Sequence, residues 1–110
     1  MADEATLIRL CDIALVPRGT VKRVIVAARP PLAVYNLNDK FFITDDTCTH
    51  GRASLAEGVI EAETIECPLH GGCFSILTGD PVAFPATVPI RTYPAHIIGD
   101  QIFVELTKGE

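Results

Sequence analysis

At 110 residues, 48% of them apolar, the chain can bury one modest core and has no room for a second catalytic domain. Its formal net charge of -5 argues against nucleic acid and anionic membranes, both of which need clustered Lys and Arg. No apolar run approaches the roughly 20 residues of a bilayer span; the longest, Val24 to Ala28, meets Arg29 and two prolines at once, so a soluble protein is expected.

The chain opens on Met1-Ala2-Asp3-Glu4, which is acidic and lacks the basic start and apolar stretch of a secretory signal. A cytoplasmic location is the expectation. Short runs rich in Val, Ile, Phe and Tyr then alternate with Gly, Pro, Asn and Asp, the pattern of an all-β domain. The predicted strands are Leu7 to Cys11, Val21 to Ala28, Leu32 to Leu37, Phe41 to Thr44, Thr64 to Cys67, Phe74 to Leu77, Ile90 to Ile97 and Gln101 to Leu106. Asn38-Asp39 and Gly99-Asp100 fall between such runs and predict tight hairpins, because Gly, Asn and Asp tolerate positive φ. No segment keeps a helical period, and eight prolines interrupt the candidates. One domain is expected over residues 1–110, with a loop-rich subdomain at about 45–85 inserted into the β scaffold.

That insert carries the chemistry. Cys48-Thr49-His50 and Cys67-Pro68-Leu69-His70 each pair a thiol with an imidazole, sixteen residues apart from Gly51 to Glu66. Two Cys and two His can fill a tetrahedral zinc shell, so a structural zinc module is one reading. The spacing fits it poorly, because structural zinc sequences usually pair Cys with Cys and His with His. A 2Fe-2S cluster explains the mixture better, since its two irons can take different ligand sets.

The runs C-T-H-G and C-P-L-H-G-G, with Ile-Arg-Thr-Tyr-Pro at residues 90–94, resemble the Rieske family, and most of the chain resembles ferredoxins of bacterial ring-hydroxylating dioxygenases. The resemblance implies a Rieske-type antiparallel β-sandwich and one 2Fe-2S cluster. Cys48 and Cys67 would hold the inner iron, His50 and His70 the outer. Two neutral imidazoles in place of two thiolates lift the potential from about -400 mV into a range of roughly -150 to +300 mV. Gly51, Gly71 and Gly72 would let backbone N–H groups approach cluster sulfur, Pro68 would stiffen its loop, and Phe84-Pro85-Ala86 resembles the family's covering loop.

The Rieske proteins of quinol-oxidising complexes carry two further cysteines, at positions matching Ala53 and Leu69, and serine and tyrosine donors matching Gly72 and Phe74. Their absence favours the low end of the potential range. A terminal oxygenase would need a second iron site, and only His96 is left unassigned. The resemblance therefore implies no enzyme. It implies a monomeric one-electron carrier between an NAD(P)H-dependent flavin ferredoxin reductase and the terminal oxygenase of an aromatic ring-hydroxylating system. A small redox subunit of another oxidoreductase is the alternative within the family.

Other residues read more plainly. Cys11 and Cys73 are expected as packed thiols, His96 as a surface residue, and Tyr35, Phe41, Phe42 and Phe103 as core. Residues 39–80 hold eight acids against Lys40 and Arg52. Asp45, Asp46, Glu57, Glu61, Glu63 and Glu66 would either be solvated surface or steer a basic partner.

Overall fold

The strand Leu32-Ala33-Val34-Tyr35-Asn36 reads as an almost continuous apolar run, which suits a strand covered on both faces. The computed structural model, which describes residues 5–27, 29–49, 51–69 and 71–107, places it so. The strands are β1 (Ala5–Asp12), β2 (Val21–Val24), β3 (Leu32–Leu37), β4 (Lys40–Asp45), β5 (Val59–Glu61), β6 (Thr64–Glu66), β7 (Cys73–Ser75), β8 (Pro81–Ala83), β9 (Thr92–Tyr93), β10 (Ala95–Ile98) and β11 (Gln101–Thr107). They form three antiparallel sheets, in the orders β1-β11-β10, β2-β3-β4-β9 and β5-β6-β7-β8. The described residues contain no α-helix, only 3-10 turns at Ile13–Leu15 and Leu55–Glu57.

Because side chains alternate along a strand, β3 divides the interior in two. Leu32 and Val34 join Cys11, Val16, Ile43, Tyr93, Ile102, Val104 and Leu106 in one core. Ala33 and Tyr35 face the other way, into a core with Cys48, Leu55, Ile65, Cys67, Phe74, Ile76, Ala86 and Ile90. The first core joins the two scaffold sheets. The second joins the scaffold to the sheet β5-β6-β7-β8, which lies between β4 and β9 in chain order.

Both expected hairpins are present, by the expected chemistry. Asn38 and Asp39 sit at φ 58° and 68°, the pair of positive values that a two-residue type I′ turn demands. Asn36 Oδ1 accepts from Asp39 N at 2.7 Å and fixes that turn. Gly99 turns β10 into β11 at φ 64°.

Several boundaries differ from expectation. Strand β2 stops at Val24, four residues short of the predicted end. The run predicted from Ile90 to Ile97 is broken at Pro94, whose carbonyl accepts from Glu105 N at 3.0 Å, giving separate strands β9 and β10. β5 and β8 were not predicted: each has three residues, and β8 begins with a proline that an edge strand tolerates. No helix of the described residues is long and apolar enough to cross a membrane.

Candidate metal centre

Three loops meet around the two cysteines of the paired motifs. The first, after β4, is closed by a bridge between Thr47 and Ser54 and by Cys48 N donating to Ala53 O at 2.9 Å. The second joins β6 to β7. In it Cys67 N donates to Gly72 O at 2.7 Å and Gly71 N to Cys67 O at 3.2 Å, with Gly71 at φ 76°. The third joins β8 to β9 and contains Phe84, Pro85 and Ala86.

Each loop touches the other two. Thr49 Oγ1 donates to Val88 O at 2.6 Å, tying the first to the third. A side chain on Gly51 would stand 3.2 Å from Leu69 Cδ1, so the first and second are in contact. A Cβ on Gly72 would lie 2.9 Å from Ala86 N and 3.1 Å from its Cβ, which packs the second against the third. Glycine at 72 is therefore demanded by close approach of backbone. The N–H of Gly71 is taken by the Cys67 carbonyl; the expectation that it points at sulfur is corrected to a role in closing the loop.

Within this junction Cys48 and Cys67 are only 3% and 2% exposed, in one apolar cluster with Ala86, Phe74 and Ile65. No disulfide joins any of the cysteines. His50 and His70 lie outside the described residues, so the described part of the centre is its thiol half. Among the described residues no set of three Cys, His, Asp or Glu side chains comes together that could hold a metal. Two buried thiols on neighbouring loops, each closed by a backbone hydrogen bond and each two or three positions before a histidine, fit an iron-sulfur cluster with mixed ligands.

The root of the first loop is built from charge. Tyr93 donates to Asp45 Oδ1 at 2.6 Å, and Arg29 Nη2 donates to Tyr93 Oη at 3.0 Å and lies 3.8 Å from Asp45. Arg29 Nε and Nη1 have no hydrogen-bond partner among the described residues; its Cζ stands 5.1 Å from the Tyr93 ring centre, whose π face meets the charge. Burial, then the bond to Asp45, pushes the Tyr93 hydroxyl above the usual tyrosine range. Asp46 is buried outright and pairs with Arg23 Nε at 3.2 Å. The two aspartates, expected as solvated or steering surface, are thus structural, a correction that charge counting could not anticipate because it does not see burial. The motif at residues 90–94 gains a physical reason here, since it delivers the Tyr93 hydroxyl.

The remaining residues fall as follows. Cys11 is buried in the scaffold core. Cys73 is half-buried on the outer face of β7, its thiol donating to Gly71 O at 3.6 Å. His96 is not isolated: Nε2 lies 2.7 Å from Glu105 Oε1 on the neighbouring strand. Tyr35 is fully buried and its hydroxyl bonds Thr44 Oγ1 at 2.9 Å, while Phe41 and Phe42 pack against the two cores from their edges.

Comparison with known proteins agrees with this geometry. The family model described as Rieske [2Fe-2S] domain matches residues 6–94. The 3-phenylpropionate/cinnamic acid dioxygenase ferredoxin subunit of Escherichia coli K12 is 40% identical over 101 residues, covering 91% of this chain and 93% of its own. The ferredoxin of Sphingomonas yanoikuyae B1 superposes with a TM-score of 0.88 at 42% identity, over 92% of this chain and 99% of its own. A chain in the complex of reduced oxygenase and oxidized ferredoxin of carbazole 1,9a-dioxygenase gives 0.87 at 40% identity, over 94% and 97%. With a family model spanning most of its length and relatives matched almost end to end, the chain belongs to the Rieske [2Fe-2S] domain family.

Proposed function

We propose that Cys48, His50, Cys67 and His70 hold one 2Fe-2S cluster, and that the chain is a cytoplasmic one-electron carrier, with no catalytic activity of its own. It would take electrons from an NAD(P)H-dependent flavin ferredoxin reductase and deliver them to the terminal oxygenase of an aromatic ring-hydroxylating dioxygenase. The observation that carries the reading is the burial of Cys48 and Cys67 in one apolar cluster at a junction of three mutually fastened loops. Bound there, the cluster supplies a one-electron couple, in the range of roughly -150 to +300 mV that histidine ligation gives.

The chain's own residues do the rest. Ala86, Phe74 and Ile65 keep water from the thiol side of the site. Leu69, Phe84 and Val88 stand exposed on the second and third loops, Phe84 at 85%, and offer apolar surface beside the cysteines. Relatives named as ferredoxin subunits of dioxygenases, and one in complex with an oxygenase, support the choice of partner.

The test is direct. Purified protein should be coloured, carry iron and acid-labile sulfide in equal amounts, and give a Rieske-type paramagnetic signal when reduced. His50→Ala or His70→Ala should remove or convert that signal, while His96→Ala should leave it unchanged. Colourless, zinc-loaded protein from iron-replete cells would end the reading, and an unaltered spectrum in His70→Ala would end the ligand assignment.

A further inference from the structure

Every polar group of Asp46 is engaged, and the four partner residues come from three places in the chain. Its N donates to Pro31 O at 3.1 Å, and its carbonyl accepts from Leu55 N at 2.7 Å. Oδ1 accepts from Ala56 N at 2.9 Å, and Oδ2 pairs with Arg23 Nε at 3.2 Å. Residue 46 stands at one foot of the first loop and residues 55 and 56 at the other, so this single side chain and its backbone clamp the loop shut. Arg23, on the edge strand β2, fastens the clamp to the scaffold.

The two charges are unequally screened. The Asp46 side chain is 2% exposed and the Arg23 side chain 53%. Solvent and salt weaken the field of an exposed charge far more than that of a buried one. A group held by Cys48, two residues along the chain, therefore feels the carboxylate more than the guanidinium. A nearby negative charge opposes the arrival of an electron.

We propose that Asp46 is a positioning residue for the cluster that also tunes it: the clamp fixes the loop carrying Cys48, and the buried carboxylate holds the reduction potential below the value the ligands alone would set, with Arg23 partly offsetting it. The assignment rests on the reading that Cys48 and Cys67 bind the cluster.

Voltammetry of the intact holoprotein and of three variants tests it, after iron and sulfide analysis of the unaltered chain. A chain without iron and sulfide would defeat the underlying reading and with it the proposal. Given a loaded chain, Asp46→Asn keeps an oxygen to accept from Ala56 N and removes the charge, so its potential should rise. Arg23→Gln leaves the carboxylate uncompensated, so its potential should fall, and Arg23→Lys should restore it. Opposite shifts are not what a merely structural role produces; that role lowers cluster retention and melting temperature in both variants. Unchanged potentials, or shifts of the same sign, would overturn the proposal. If Asp46→Asn loses its cluster, Arg23→Gln decides by the same criterion. Loss of the cluster from both would assign the pair to holding the loop alone, which also overturns it.

Discussion

Gly72 shows how little space the junction leaves. Any side chain there would start 2.9 Å from the Ala86 backbone nitrogen, and backbone cannot swing aside as a flexible side chain does. Gly72→Ser, which would introduce the hydroxyl that quinol-oxidising relatives carry, should cost about 1–3 kcal/mol by overpacking and lower the iron content of the purified protein. Equal iron content and an equal melting temperature would show that the third loop yields. Cys73, one residue along, points to the outer face, opposite Phe74. Burial raises its thiol pKa first, and the carboxylates of Glu66 and Glu61 raise it further. A raised pKa leaves less thiolate at a given pH, so at pH 8 Cys73 in the folded protein should be alkylated more slowly than an ordinary exposed thiol. Glu66→Gln should quicken the reaction, because removing one negative charge lowers the pKa. Peptide mass spectrometry after timed iodoacetamide treatment reads both rates; equal rates with and without Glu66 would remove the electrostatic part of the explanation.

Strand β3 makes the two cores separable by experiment. Ile102 of β11 and Ile65 of β6 are both wholly buried, but Ile102 packs on the scaffold side of β3 and Ile65 beside Cys48 and Cys67. Ile→Ala at either site should cost about 2–5 kcal/mol of stability. Only Ile65→Ala should also speed the bleaching of the cluster by a chelator below the melting transition. Equal bleaching rates would mean that the second core does not support the centre separately. The same division explains what was legible in the sequence. β3, β11 and the Asn38-Asp39 hairpin announce themselves through alternation and turn chemistry, which are local properties. β5 and β8 do not, because three residues carry too little period and their pairing with β6 and β7 decides their conformation. Cys48 and Cys67 stand out in the sequence because thiols in a fixed pattern with histidines have few uses, and the fold buries both in one cluster. The clamp at Asp46 was not, since its partners Pro31, Arg23 and Ala56 are brought to it only by the fold.

At the scale of the whole molecule, the acidic stretch of residues 39–80 separates into two populations. Asp39 pairs with Arg18, Asp45 with Arg29 and Asp46 with Arg23, so three of its acids are compensated. Glu57, Glu61, Glu63, Glu66 and Asp80 are exposed and form no ion pair among the described residues. Register puts Val59 opposite Glu66 and Glu61 opposite Thr64, so Glu61 and Glu66 share one face of the sheet that also supplies the second loop. A field of this kind attracts a basic surface, and steering can raise association from about 10⁵–10⁶ to 10⁸–10⁹ M⁻¹s⁻¹ at low salt. Its reach shrinks to about 8 Å at physiological ionic strength. Stopped-flow association with the partner oxygenase should therefore slow as salt is added, and the double variant Glu61→Gln with Glu66→Gln should flatten that dependence. Asp45→Asn provides the contrast: its charge is already paired with Arg29, so it should lower stability and leave the salt slope alone. A rate insensitive to salt in the unaltered protein would assign recognition to the exposed apolar side chains Leu69, Phe84 and Val88, whose contacts are short-ranged and unscreened.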